Sequence, residues 1–472
     1  MPRLTHALAL ILAALSLSAL AQNPTPAPAA QTVSTLAPQL QASVDRIANQ
    51  VIQARGIPSA SVAVVQHGRL AYTHAYGLAH LDPKLPATPE MRYSIGSVSK
   101  QFTAAAILLL AEQGSLTLDD PVGNYIPGLT RGGEVTIRQI LSHTSGYQDY
   151  WPEDYLMTPM FQPTTAQHIL DTWAKKPLDF DPGTKWQYSN TNYVIAGLIV
   201  EKITGAPLMD FLVQHIFRPL NMTSVWNSDE ARLTSTDATS YIRAALGPLR
   251  PAPKEGRGWM FAAGELAMTA HDLALWNESL IARSVLKPAS YDEMFREVKL
   301  ADGTGTHYGL GVEVLTSEGH LIIEHSGEVT GFVSDNIVIP DLGVAVSVLT
   351  NHMGGGASTI AELTAKTVAA LPPTPDETRT LALYRSLQQG LIDRSQLAPN
   401  LSDYFSPQTL ADFQSSLGPL GEPLTFKQTA EELRGGMTFR SFRITYPDRH
   451  LRLTTYTYPD NKLEQLLVEP AD

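Results

Sequence analysis

Two groups of strand-forming segments enclose a long helical stretch, from about residue 97 to 300, and this limits the fold more than any other feature of the chain. Ala60-Ser-Val-Ala-Val-Val-Gln66 and Arg69-Leu-Ala-Tyr-Thr-His74 flank the turn residues His67-Gly68. Strand signals return at His320–His325, Val333–Ile339 and Val344–Leu349, the last two separated by Pro340-Asp-Leu-Gly343. Strands at both ends with helices between predict one antiparallel sheet built from both ends of the sequence, beside a helical lobe. Leu40, Val44, Ile47 and Val51 add an amphipathic helix within Leu36–Arg55.

A chain of 472 residues, 43% hydrophobic and 17% charged, is long enough to bury a large core without disulfides or metals. Its 34 Lys and Arg stand against 46 Asp and Glu, a net charge of −12 with no basic run, so nucleic acid is repelled and is not expected as a partner. Arg3, the apolar run Ala7–Leu20 and Ala19-Leu20-Ala21 read as a signal peptide over residues 1–21, too short to span a bilayer, and no later segment reaches about 18 apolar residues. Export to the periplasm or beyond is therefore expected. With no cysteine, a disulfide framework, thiol catalysis and thiolate metal sites are all excluded. A Pro/Ala-rich spacer covers residues 22–35, and the first folded unit covers 36–370. Pro372-Pro-Thr-Pro375 marks a linker over 371–376. Residues 377–472 read as a small α+β domain, with helices at Thr380–Leu391 and Ser406–Leu417 followed by strands near 424–430, 437–446, 450–458 and 462–468. Arg440, Arg443, Arg449 and Arg452 there read either as an anion site or as solvated edge residues.

Three short motifs carry chemistry. Ser97-Val-Ser-Lys100 opens an apolar helix, and residues three apart share a helix face, so the hydroxyl and the amine can lie side by side. A helix N-terminus favours a developing oxyanion, and the same field together with burial depresses a lysine pKa toward that of a neutral base. The pattern alone is weak, because Ser284-Val-Leu-Lys287 repeats it on what reads as surface loop. Tyr188-Ser-Asn190 follows the turn Asp181-Pro-Gly-Thr-Lys-Trp186. On non-helical backbone its phenol and amide can project to one side, one exchanging a proton with Ser97 and the other binding a substrate carbonyl. His325-Ser-Gly327 ends a strand that can pair with an extended substrate, the glycine allowing close approach. His307-Tyr-Gly309 reads as a strand start.

In that order, the motifs resemble those of the serine β-lactamase and penicillin-binding-protein superfamily, in its class C-related branch. Tyr93-Ser-Ile-Gly-Ser-Val-Ser-Lys-Gln-Phe-Thr103, Ile140-Leu-Ser-His-Thr-Ser-Gly146, Pro182-Gly-Thr-Lys-Trp-Gln-Tyr-Ser-Asn190 and Tyr308-Gly-Leu-Gly311 add to the likeness. It covers about residues 40–368 and implies an α+β fold: a β-lactamase/transpeptidase-like antiparallel sheet flanked by helices, plus a helical lobe, with the small α+β C-terminal domain outside it. It further implies that Ser97 is acylated, Lys100 abstracts its proton and Tyr188 is general base and proton shuttle. Asn190, His325, Ser326, Gly327 and Glu328 would bind substrate, with the backbone N–H groups of Ser97 and Glu328 forming the oxyanion hole. No metal or cofactor is implied. The substrate would be a small molecule or peptide, cell-wall fragments among them.

The sequence departs from the branch at His325, where β-lactamases and transpeptidases of the superfamily usually carry lysine, which binds the substrate carboxylate and lowers the tyrosine pKa. A histidine is largely neutral above pH 7. Weak or no β-lactamase activity, with more tolerance for esters, amides or D-amino-acid peptides, is the expectation. Ala262-Ala-Gly-Glu-Leu-Ala-Met-Thr269 also departs, at Glu265 and Met268. Tyr147, Tyr150, Trp151, Tyr155 and Phe161 form either core or a cleft wall. No Gly-x-Ser-x-Gly elbow, His-Glu-x-x-His or phosphate-cradling Gly-x-x-x-x-Gly-Lys occurs, despite 13 histidines. A non-catalytic peptidoglycan- or partner-binding module of the same fold and a true β-lactamase are the alternative readings.

Overall fold

The computed structural model describes residues 35–153, 155–369 and 373–471. The signal peptide at 1–21 and all of the spacer but Thr35 lie outside the described residues, as does part of the 371–376 linker. Helix α1 (Pro38–Arg55) leads into β1 (Ser59–Gln66), β2 (Arg69–Leu81) and β3 (Lys84–Pro86). After the helical lobe come β4 (Glu313–Ser317), β5 (His320–Val329), β6 (Phe332–Ile339) and β7 (Val344–Thr350). The seven strands form one antiparallel sheet in the order β3-β2-β1-β7-β6-β5-β4, so β1 pairs directly with β7 and the sheet is made from both ends of this region.

Both faces of the sheet are covered, which is why β1 is buried from Ser59 to Val65 and carries apolar residues on both faces. Val62 and Val64 point toward α1 and the later helix, where they meet Val44, Val51 and Ile360. Ala63 and Val65 point the other way into the larger core, which the helical lobe shares. Three lobe helices matter for the site: α2 (Ser99–Glu112), α3 (Asn190–Thr204) and α4 (Ala270–Ala282). The Asn277 amide on α4 fixes that helix to the sheet by donating to Asn336 Oδ1 at 2.7 Å and Ser347 Oγ at 2.9 Å. Helix α5 (Ala357–Ala369) packs on the opposite face.

The C-terminal part has its own core around Tyr384, Leu387, Phe405, Phe442 and Leu453. Its helices are α6 (Pro375–Gln388), α7 (Pro399–Tyr404) and α8 (Pro407–Leu417). Its strands β8 (Thr425–Arg434), β9 (Met437–Thr445), β10 (His450–Thr457) and β11 (Leu463–Ala471) form a meander in sequence order. Helix α6 starts five residues before the expected Thr380, because Thr374 and Glu377 form a capping box with Pro375 at the first position. Ser406 caps α8 by accepting from the Thr409 N–H at 3.1 Å. The arginines of the meander are largely paired: Arg440 with Asp376 and Glu431, Arg449 with Asp448 and Arg452 with Glu469. The edge-residue reading fits them better than an anion site.

Two local expectations are corrected. His307-Tyr-Gly309 does not start a strand: Tyr308 makes one isolated bridge to Glu313, and the strand begins there. Asn190 is not on irregular backbone but is the first residue of α3, with Ser189 extended before it.

Candidate active site

Ser97 sits in a single turn of 3-10 helix, Gly96–Val98, that runs straight into α2. Two glycines let this turn meet the end of β5. A Cβ on Gly96, whose φ is +50°, would fall 2.6 Å from the Glu328 nitrogen, and one on Gly327 would fall 2.0 Å from the Ile95 carbonyl oxygen. The serine therefore lies against the strand end that carries His325-Ser-Gly327.

Helix α2 is buried on nearly all sides, and Lys100 is fully enclosed one turn in. Its Nζ lies 2.8 Å from Ser97 Oγ, 2.8 Å from Asn190 Oδ1 and 2.9 Å from the Ala263 carbonyl oxygen. These three acceptors match the three N–H bonds of an ammonium. Burial nevertheless lowers the Lys100 pKa to about 7, with the nearby Asp149 carboxylate opposing the shift. At neutral pH a large fraction is the free amine. Two N–H bonds then hold Asn190 and Ala263, and the lone pair faces the Ser97 hydroxyl. Nζ also stands 4.9 Å from the centre of the Tyr188 ring and 5.4 Å from that of Tyr193.

Tyr188 lines the cleft and is hydrogen-bonded to Ser97. Desolvation pushes its phenol far above the ordinary range, so the resting side chain is protonated. Asn190 is oriented by Asp149, which accepts from its backbone N–H at 2.9 Å and from its amide at 3.2 Å. Behind Tyr188, the His143 ring lies at 4.3 Å between centroids, and its Nδ1 accepts from the Ser189 N–H at 3.2 Å. Ser145 Oγ donates to Asn192 Oδ1 at 2.6 Å. The buried His143-Thr-Ser-Gly146 stretch thus braces the Tyr188-Ser-Asn190 corner from below.

His325 is fully enclosed on the other side. Its Nδ1 donates to the Ser326 carbonyl oxygen at 2.6 Å, and its Nε2 accepts from the Tyr308 hydroxyl at 2.7 Å. Burial, with the charge of Lys100 adding to it, holds its pKa down at about 3, so the ring is neutral at every working pH. The cleft over these groups has a volume of about 600 Å³. Ser97, Tyr188, Asn190, His325, Ser326 and Glu328 all border it; Lys100 lies beneath its floor and Gly327 against the Ser97 turn. Asp149, Glu153, Glu313 and Glu328 give it carboxylates, and no lysine or arginine is among its described lining residues. Trp151 and Tyr155 form part of its wall and the buried Tyr150 borders it, whereas Tyr147 is core and Phe161 borders a neighbouring pocket. The second Ser-x-x-Lys is a surface feature, with Lys287 donating to the Glu112 carbonyl. Glu265 is buried against Asn227, beside the segment that supplies the Ala263 carbonyl, and burial raises its pKa to about 8. Among the described residues no group of three or more His, Asp or Glu is placed to hold a metal ion.

Asp149, His143 and Tyr308 were not singled out from the sequence. The one available signal was that His143 and Tyr308 lie within short motifs that extend the family likeness.

The model of the Beta-lactamase family matches residues 44–371. Penicillin-binding protein 4* of Bacillus subtilis is 30% identical over 289 residues, which cover 58% of this chain and 63% of that protein. A D-aminopeptidase of Brucella anthropi is 28% identical over 329 residues, 69% of this chain and 62% of that protein. The chain thus spans less than two thirds of the length of these curated relatives. Among solved structures, a D-stereospecific amidohydrolase from Streptomyces sp. superposes with a TM-score of 0.61 at 26% identity, over 69% of this chain and 98% of that one.

Proposed function

This chain belongs to the Beta-lactamase family, and from that premise we propose that it is an exported serine hydrolase acting through a Ser97 acyl-enzyme on an ester, amide or D-amino-acid peptide, with weak or no β-lactamase activity. The observation that carries the reading is the 2.8 Å contact between Ser97 Oγ and a Lys100 amine whose pKa burial has lowered to about 7.

Neutral Lys100 takes the Ser97 proton as Oγ attacks the substrate carbonyl. The oxyanion is assigned to the backbone N–H groups of Ser97 and Glu328, held together by the Gly96 and Gly327 approaches. Tyr188, protonated at rest, gives its proton to the leaving nitrogen or oxygen and regains one directly from the Lys100 ammonium, which stands over its ring. Lys100 is thus the standing base, and Tyr188 relays. Asn190 Oδ1 holds Nζ, and its amide orients the substrate. Water then attacks the acyl-enzyme with the same groups working in reverse, which releases the acid and restores Ser97.

The substrate class follows from charge. Neutral His325 supplies no cation for a carboxylate beside the reacting carbonyl, and the cleft acids oppose one there. A free amine fits better: one oxygen of Glu153 is buried at this wall without a hydrogen-bond partner. The likeness to a D-aminopeptidase supports the same choice. Export rests on the composition of residues 1–21, and N-terminal sequencing of protein recovered outside the cytoplasm tests it.

A panel of D-alanine p-nitroanilide, its L-enantiomer, benzylpenicillin and a cephalosporin tests the specificity. The D-aminoacyl amide is expected to exceed both β-lactams in kcat/KM. Cephalosporin turnover near the diffusional ceiling of about 10⁸ M⁻¹s⁻¹ would instead make the protein a true β-lactamase.

A further inference from the structure

Past Thr330 the cleft opens into a second pocket of about 580 Å³, and Tyr155, Thr330 and Met353 line both. The two compartments carry opposite charge. Among the described residues, the second is bordered by Arg55, Arg243 and His352 and by no carboxylate. Arg55 ends α1, and the left-handed Gly56 that follows lets Arg243 approach: a Cβ there would lie 3.2 Å from Arg243 Nη2. Arg55 Nη2 donates to Thr359 Oγ1 at 3.3 Å, but its Nε is buried without an acceptor. No ion pair joins either guanidinium to a carboxylate among the described residues. Glu255, behind Thr330, is already engaged by the Thr330 N–H and hydroxyl. The buried His352 accepts from the Gly354 N–H at Nδ1, which leaves Nε2 as a donor; burial and the charge of Arg243 keep the ring below its usual pKa.

Neighbouring guanidiniums repel each other unless an anion lies between them, and arginine binds carboxylate or phosphate through forked hydrogen bonds. We infer that this pocket is a subsite for an acidic group, a carboxylate or phosphate, at the far end of the substrate's acyl arm. The inference rests on the proposed Ser97 chemistry for its direction. Tyr188 protonates the leaving group and stands near His325, 6.2 Å between ring centroids. The acyl arm then occupies the other end of the cleft, along Glu328–Thr330. Two strand residues past Glu328 is roughly 7 Å, so several bonds must separate the acid from the reacting carbonyl. An acid near Ser97 is disfavoured while one at this distance is bound.

The test uses mono-p-nitrophenyl esters of adipic, suberic and sebacic acid, each compared with its ω-methyl ester so that only the distal charge differs. Wild type is expected to prefer the free acid at the longer lengths. Arg243→Ala should lower that preference about tenfold, and Arg243→Glu further, while the rates on the uncharged esters stay unchanged. An unchanged acid-to-methyl-ester ratio in Arg243→Ala overturns the subsite. Calorimetric titration of the same esters into Ser97→Ala needs no turnover. Tighter binding of the acids, lost on adding Arg243→Ala, supports the subsite even if wild type hydrolyses nothing and the acyl-enzyme reading falls. Equal affinities for acid and methyl ester there overturn the subsite even if Ser97 proves catalytic. Matched ω-phosphonate esters, carried through the same two measurements, show which anion the pocket prefers.

Discussion

Lys100 is held in a state that water would not tolerate, an amine near half-protonation at pH 7 with three acceptors around it. Its pKa sets the pH dependence. A base whose pKa is lowered to about 7 is inactive when protonated, so kcat/KM for an uncharged ester should rise through about pH 7 and then level. No step should come from His325, already neutral there. Asp149 favours the ammonium, so Asp149→Asn should move the rising limb to lower pH, which a kcat/KM profile from pH 5 to 9 would show. A limb that moves upward would contradict that electrostatic assignment. Ser97 and Lys100 were legible in the sequence because three-residue spacing on a helix fixes their proximity. Asp149, His143 and Tyr308 were not, since each reaches the site from a loop whose path depends on tertiary packing.

At the scale of elements, the site depends on a 3-10 turn and a strand end brought together without side chains between them. Gly327→Ala places a methyl group 2.0 Å from the Ile95 carbonyl, so either the strand or the Ser97 turn must move. A loss of about 2 kcal/mol in denaturant unfolding, together with a fall in kcat, is expected. In the C-terminal part, Thr374→Ala removes half of a capping box and should cost about 1 kcal/mol. Periodicity located most of the strands, because their apolar runs are bounded by turn residues. It misplaced the start of α6, where the capping box sets the boundary before the apolar residues begin. The strand at His307-Tyr-Gly309 was wrong for a related reason: Tyr308 is buried to meet His325, not to join a sheet.

Across the whole molecule, charge is unevenly distributed. A chain of net charge −12 keeps acids in its reaction cleft and places in the adjoining pocket two arginines that, among the described residues, form no ion pair with a carboxylate. The sheet built from both ends of the first region was readable from the order of strand signals, and β1 pairing with β7 closes it. The adjoining pocket was not readable, since its walls come from α1, the chain near residue 243 and the loop after β7. These segments are far apart in sequence and carry no shared motif.

The proposed chemistry rests on Ser97, and one measurement addresses that residue: hydrolysis of a p-nitrophenyl ester from pH 6 to 9 by wild type and Ser97→Ala, with mass spectrometry of the quenched wild-type protein. Turnover by the wild type alone, and an acyl adduct on the peptide containing Ser97, is the predicted result. Equal activity in both proteins, or an adduct on another residue, would contradict it.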